Sequence, residues 1–184
     1  MARTLELLRP TSMLRESYRS LVREFVAAGE KPVPFVLGFE NDDFDAFLSR
    51  LDGCSRGMGL ADGFVAHSTY WLVRDATEVV AVSNIRHSLT DALRREGGNI
   101  GYGVRPTARR QGFATAILRM SLDRAADLGL ARVLVTCGKE NRGSVTAIVR
   151  NGGVLDSEEF LVDRDEVVQR YWIPVGTRGT VRVR

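Results

Sequence analysis

NIGYGVRPTARRQGFATAILRMSLDRAADL, spanning Asn99 to Leu128, joins a short strand-like run ending at Val104-Arg105-Pro106, an Arg- and Gln-rich turn, and an amphipathic helix from Gly112. Phe113, Ile117, Leu118, Leu122, Ala125 and Leu128 recur at the spacing of one buried helical face, and Gly129 is placed to end the helix. The helix start is a device for holding an anion. The first backbone N–H groups of a helix have no intrahelical acceptor, and the macrodipole adds about half a positive charge there. Gly112 lacks a Cβ, so a ligand can approach the backbone closely; small Ala114 keeps the turn open, and Arg109 and Arg110 offer charge-assisted bonds. Arg132 to Cys137 (RVLVTC) is an apolar run suited to a strand buried on both faces. Strand, turn, helix and strand form a βαβ unit, which predicts parallel strands with a right-handed crossover.

Working outward, Thr4 to Leu8 reads as a first strand ended by Pro10, and Ser12 as the cap of a helix from Met13 to Ala28. Leu14, Tyr18, Leu21, Val22, Phe25 and Val26 form its apolar stripe, and Gly29 stops it. Glu30 to Gly63 is irregular, with Asn41 or Asp42 capping a short helix that carries Phe44, Phe47, Leu48 and Leu51. Long connections of this sort often form lids or binding walls. Ser68 to Arg74 and Glu78 to Arg86 read as a hairpin, and Ser88 to Glu96 as a short helix with a Ser88/Asp91 capping box. Asn141 to Asn151 is a helix capped by Asn141, followed by strands Val154 to Val162 and Val167 to Ile173 around the turn Asp163, Arg164, Asp165. One domain is expected over residues 1–174. The basic stretch 175–184 reads as a disordered tail in which TVRVR is a candidate edge strand.

The 184 residues suffice to bury about 70% of the unfolded surface. Cys54 and Cys137 are far apart and form no metal-ligand pattern, so both are expected to be free thiols in a reducing compartment. The N-terminal residues lack a signal-peptide apolar core and no run reaches membrane-spanning length, which predicts a soluble cytoplasmic protein without membrane partners. The net charge of +3 and pI near 9.2 come from arginines scattered among acids, against the clustered charge of a nucleic-acid binder.

Arg109-Arg110-Gln111-Gly112-Phe113-Ala114, preceded by Val104-Arg105-Pro106, resembles the Q/R-x-x-G-x-G/A acyl-CoA signature of the GCN5-related N-acetyltransferase (GNAT) superfamily. Asn141, Ser144 and Gly152 are similar to the superfamily's N-x-x-A/S…G pattern. YWLV, NIRHSL, GGNIGYGVRP, VLVTC, NGGV and RYWI resemble a bacterial subgroup of acetyltransferases with undefined substrate. The resemblance runs from about Tyr70 to Ile173. It implies a mixed, mostly antiparallel α/β sheet with helices on both faces, in which the strand ending at Val104 and the strand Arg132 to Cys137 splay apart to admit pantetheine. The implied acetyl-CoA site comprises Tyr102, Gly103, Val104, Arg109, Arg110, Gln111, Gly112, Phe113, Ala114, Thr115, Asn141 and Ser144, with no metal. Backbone groups of Tyr102 to Val104 would bond the pantetheine amides and polarise the thioester carbonyl.

The implied reaction is direct attack by an amine in a ternary complex, which needs a base for the amine proton and an acid for the departing thiolate. His87 is the expected base because its ordinary pKa is near 6.5; Glu96 and, through water, Asn99 are rivals, and His67 has no assigned role. Many superfamily members carry a tyrosine acid seven residues after the Asn, but Ile148 stands there and cannot donate, so either the thiolate leaves unassisted, as its modest basicity allows, or another group such as Ser144, Cys137 or Tyr102 assists. Arg110 stands where the signature usually has glycine. The reading is an acetyl-CoA-dependent N-acetyltransferase acting on a small amine. Peptide or protein acetylation and a non-catalytic acyl-CoA sensor are the alternatives, with a homodimer suggested by analogy. A nucleotide P-loop is excluded because no G-K-[ST] follows the turn.

Overall fold

The computed structural model describes residues 4–176. Strands β1 (Leu5–Leu8), β2 (His67–Arg74), β3 (Glu78–Arg86) and β4 (Ile100–Val104) form one antiparallel sheet in the order β1-β2-β3-β4. Strands β5 (Arg132–Gly138), β6 (Val154–Leu161) and β7 (Glu166–Pro174) form a second in the order β5-β7-β6. Between them run α1 (Arg15–Ala27), α2 (Phe44–Ser55), α3 (Asp91–Arg95), α4 (Phe113–Asp127) and α5 (Arg142–Arg150).

The uninterrupted apolar runs of β2 and β3 follow from having helices on both faces. Trp71, Val73, Val79 and Val82 meet Tyr18, Leu21 and Phe25 of α1 and Phe44, Phe47 and Leu51 of α2. The rings of Tyr18 and Trp71 stack there at 4.7 Å. Leu72, Val80, Ala81 and Ile85 face the other way, onto Ile117 and Leu118 of α4 and onto Val133, Val135 and Tyr171 of the second sheet. Val79 and Val82 share a face despite their odd spacing because the pairing slips between Leu72/Ala81 and Val73/Val79, a bulge that inserts one residue into β3.

Several local expectations are corrected. Thr11, not Ser12, accepts from Met13 N at 3.4 Å and opens a 3₁₀ turn (Ser12–Leu14) before α1 begins. Asp43, rather than Asn41 or Asp42, caps α2 by accepting from Ala46 N at 3.0 Å. Thr90, not Ser88, caps α3 through Leu93 N at 3.2 Å. In each case a polar residue one or two positions from the expected one has the extended backbone a cap requires. Val26 leaves the α1 stripe and is 70% exposed. Ser121 joins the buried face of α4, where its hydroxyl donates to Ser83 Oγ at 2.8 Å. Val175, expected in the tail, is buried and its N–H donates to Ala131 O at 2.9 Å. TVRVR lies outside the described residues.

The βαβ unit brings β4 and β5 together without pairing them. Among the described residues every ladder is antiparallel and none joins these two strands. The expected parallel pair is splayed open.

His67, buried at the start of β2, shares a hydrogen bond of 2.8 Å between its Nδ1 and Asn84 Nδ2, and packs edge-on against Phe35. Burial, then the charge of Arg86, pushes its pKa down to about 4. The unfolded chain therefore binds a proton that the native state refuses, so this contribution is complete above pH 6.5 and is lost as pH falls toward 4. Between pH 7 and pH 5 the loss is about 2 kcal/mol. Urea denaturation at both pH values is expected to lose that much more stability for the natural chain than for His67→Gln; equal losses would refute it.

Candidate active site where the strands part

Asn99 forms the vertex of the opening. Its N–H donates to Leu134 O at 2.7 Å, its Oδ1 accepts from Leu134 N at 2.9 Å, and its Nδ2 donates to Arg86 O at 3.2 Å. Beyond this point β4 keeps its ladder to β3 on one edge, while its other edge faces the space between the sheets. A polar slot flanked by an unpaired strand edge can receive an extended amide-bearing chain.

At the open end lies the start of α4. Gly112 is its N-cap, at φ +83°, with no neighbour within 4 Å of the position a Cβ would take. No side chain caps this end, and Ala116 N to Gly112 O, at 3.1 Å, is the first bond of the helix. The N–H groups of Gly112, Phe113, Ala114 and Thr115 thus have no acceptor among the described residues. Bare donors before open space fit a pyrophosphate. Arg110 also has a left-handed backbone, φ +59°, at the position where the signature usually has glycine. Phe113 anchors the turn in the core, and Gln111 Oε1 accepts from Arg74 Nη1 at 3.4 Å. Asn151 Nδ2 donates to Thr115 O at 3.1 Å, tying the end of α5 to this turn.

Arg109 does not point at the helix start. Its guanidinium forks onto Glu30, with Nη1 to Oε1 at 2.7 Å and Nη2 to Oε2 at 2.6 Å, and its Nε donates to Val104 O at 3.3 Å. The partner Glu30 opens the long connection before α2, whose Val33 carbonyl fills the space where a Cβ at Gly103 would stand. A glycine at 103 is what allows that wall to close on β4.

On the α4 and α5 side of the slot, Tyr102, Cys137 and Ser144 come together from β4, β5 and α5. The Tyr102 hydroxyl is sealed from solvent and has no hydrogen bond of normal geometry among the described residues, although Ser144 is close enough to act on it. Burial raises the Tyr102 hydroxyl to about 12 and, with Glu166 adding, the Cys137 thiol to about 11. Both hold their protons at neutral pH. Asn141 is spent as a cap, accepting from Ser144 N at 3.1 Å. Ile148 is fully buried in the core. Glu166 lies against the backbone of Gly138, at the end of β5.

His87 is not brought to this cluster. Its Nε2 is hydrogen-bonded to Ser68 Oγ on β2 at 2.9 Å, on the opposite side of β3 from β4, and burial followed by Arg9 lowers its pKa. Glu96 is ion-paired with Arg164, and both side-chain polar atoms of Asn99 are occupied at the vertex. Arg86 and Glu30 had no role from sequence. An arginine at a strand end reads as a solvated terminus, and Glu30 lies 79 residues from its partner.

Residues 33–154 match the family model of the acetyltransferase (GNAT) domain, so the chain belongs to that family of acyl-CoA-dependent acetyltransferases. It is similar in structure to RimL, the ribosomal L7/L12 alpha-N-protein acetyltransferase, in complex with coenzyme A disulfide-linked to a cysteine: TM-score 0.68, 16% identity, covering 95% of this chain and 96% of that one. The microcin C7 self-immunity acetyltransferase MccE, with acetyl-CoA and AMP, gives a TM-score of 0.65 at 15% identity, covering 93% and 92%. Spermidine N-acetyltransferase from Vibrio cholerae, a dodecamer, gives 0.61 at 15%, covering 92% and 93%. No curated protein sequence matches the chain significantly. No helix among the described residues is long and apolar enough to cross a membrane, and no group of His, Cys, Asp or Glu there could hold a metal.

Proposed function

We propose that the chain moves an acetyl group from acetyl-CoA to the primary amine of a small molecule by direct attack in a ternary complex. The observation that carries this is the slot between β4 and β5, open at one end onto the uncapped start of α4. Acetyl-CoA supplies an activated thioester. The N–H groups from Gly112 to Thr115 hold the pyrophosphate, and the free edge of β4 at Tyr102 to Val104 aligns the pantetheine and polarises the thioester carbonyl. Asn141 and Ser144 line the far side. With Ile148 unable to donate, the Tyr102 hydroxyl, held protonated beside Ser144, gives a proton to the departing thiolate and is restored through solvent by the proton that the attacking nitrogen sheds. The Val33–Pro34 wall over Gly103 and Gly101 favours a compact acceptor over a peptide, which needs an open groove.

Saturating acetyl-CoA is expected to raise the melting temperature by several degrees, since about 100-fold excess over Kd contributes about 2.7 kcal/mol. A panel of amines followed by release of CoA thiol then names the acceptor class. No thermal shift would refute the binding site, and binding without turnover across the panel would favour a sensor.

A further inference from the structure

Arg86 stands at the end of β3, above Gly101 of β4: a Cβ at Gly101 would meet its Nη1 and Nη2 at 3.8 and 3.9 Å. Its Nη1 donates to Gly97 O at 2.9 Å and Gly98 O at 3.1 Å, and its guanidinium lies 5.5 Å from the Phe35 ring centroid. Those contacts use one nitrogen. Nε and Nη2 donate to no described residue, and neither is among the fully sealed polar atoms without partners.

The other arginines with little-exposed side chains are treated differently. Arg105 is paired with Glu24, Arg170 with Glu159 and Arg74 with Glu78. Arg86 has no carboxylate within ion-pair distance among the described residues, and burial alone accounts for its lowered pKa. Glu96 and Glu166, on the flanking segments, are both held by Arg164. His67, which Arg86 influences, is neutral at pH 7 and cannot offset the charge. A desolvated cation with an open, planar two-donor edge and no internal counter-ion is matched by an oxyanion.

The position of this edge decides whose oxyanion it takes. The α5 side of the slot is filled by Tyr102, Ser144 and Ile148, and a pyrophosphate belongs at the other end, before Gly112. An acceptor reaching a thioester beside Tyr102 comes from the face of β4 that Gly101 leaves without a side chain, where Arg86 stands. We infer that the acceptor is an amine that also carries a carboxylate or phosphate group, received by the Nε–Nη2 edge of Arg86 beside Gly101. This rests on the acetyltransferase reading above. Arg86 is then a specificity residue: it binds the acceptor and takes no part in the proton transfers.

The test uses matched acceptors with the full chain and acetyl-CoA: free amino acids against their carboxamides, and O-phosphoethanolamine against ethanolamine. Turnover is followed by CoA-thiol release, and acceptor binding to the CoA-saturated protein by calorimetry. The charged member of at least one pair is expected to lead by about tenfold or more in kcat/KM, and the pair that leads distinguishes carboxylate from phosphate. Arg86→Gln should erase that preference, raising KM for the charged member by about tenfold more than for its uncharged partner, with the acetyl-CoA Kd within about twofold. Gly101→Ala, whose Cβ makes only ordinary contacts, keeps the fold while occupying space beside the guanidinium, and should raise KM for the charged member more than for its uncharged partner. Preference for the uncharged members, or an equal loss of both in Arg86→Gln, overturns the inference and leaves the acetyltransferase reading standing. Failure of acetyl-CoA to bind overturns both.

Discussion

Gly112→Asp is expected to abolish measurable acetyl-CoA binding, raising Kd by more than about 100-fold, while the protein stays folded. The fold tolerates the change because nothing stands within 4 Å of the new Cβ and because Asp is among the residues that enter a left-handed N-cap most cheaply, at about 1 kcal/mol. A carboxylate there sets a negative charge beside the first-turn N–H groups. That is why it removes the site: the donors proposed for the pyrophosphate gain an internal anion, and a second negative charge is repelled from the same few ångströms. Gly112→Ala, which adds bulk without charge, should fall between the two. Calorimetry with acetyl-CoA, paired with a thermal melt, reads both halves of the expectation, and normal affinity in Gly112→Asp would withdraw the assignment.

The largest effect on stability belongs to Arg105, which is only 7% exposed. Its Nε donates to Val79 O at 3.0 Å, Nη1 to Glu24 Oε1 at 3.0 Å and Nη2 to Ser17 O at 2.6 Å. Glu24 also takes the Thr107 hydroxyl at 2.7 Å, so one arginine fastens α1, β3 and the turn leading to α4. Arg105→Ala takes from the half-buried Glu24 carboxylate its charge partner and from the Val79 and Ser17 carbonyls a donor each, at a cost of about 3–5 kcal/mol. For a chain of this size that corresponds to a fall in melting temperature of about 10 °C. Arg105→Lys should recover only part of it, because an ammonium cannot fork across three acceptors. A drop smaller than about 3 °C would show that the network contributes little.

How much of this was legible in the sequence depended on whether the cause was local. The stripe of α4 and the apolar runs of β2 and β3 carry their own periodicity and composition, and Pro106 and Gly112 mark the turn through backbone constraints. The caps at Thr11, Asp43 and Thr90 lie one or two residues from the polar residues that the sequence favours, because nearby polar residues differ in capping energy by less than the packing that sets the helix register. Partnerships across the chain were invisible. Ser121 looks polar and is buried because Ser83 waits for it, and Arg109 looks like a phosphate ligand and holds Glu30. His87 has the chemistry of a base, but its direction is set by Ser68. Arg86 gives no signal in one dimension, since what distinguishes it is a missing counter-ion.

The vertex at Asn99 makes the opening between the sheets a lever. From Asn99 to the end of β4 at Val104 is about 16 Å of strand. A tilt of about 5° at that amide therefore moves the far end by more than about 1 Å, the tolerance within which reacting groups must be held. At the vertex Asn99 is joined to β5 by two hydrogen bonds with Leu134 while its Nδ2 ties it to Arg86 of β3, where a continuous sheet would join β4 to β5 by a whole ladder. Small losses at this fulcrum are amplified at the opposite end of the slot.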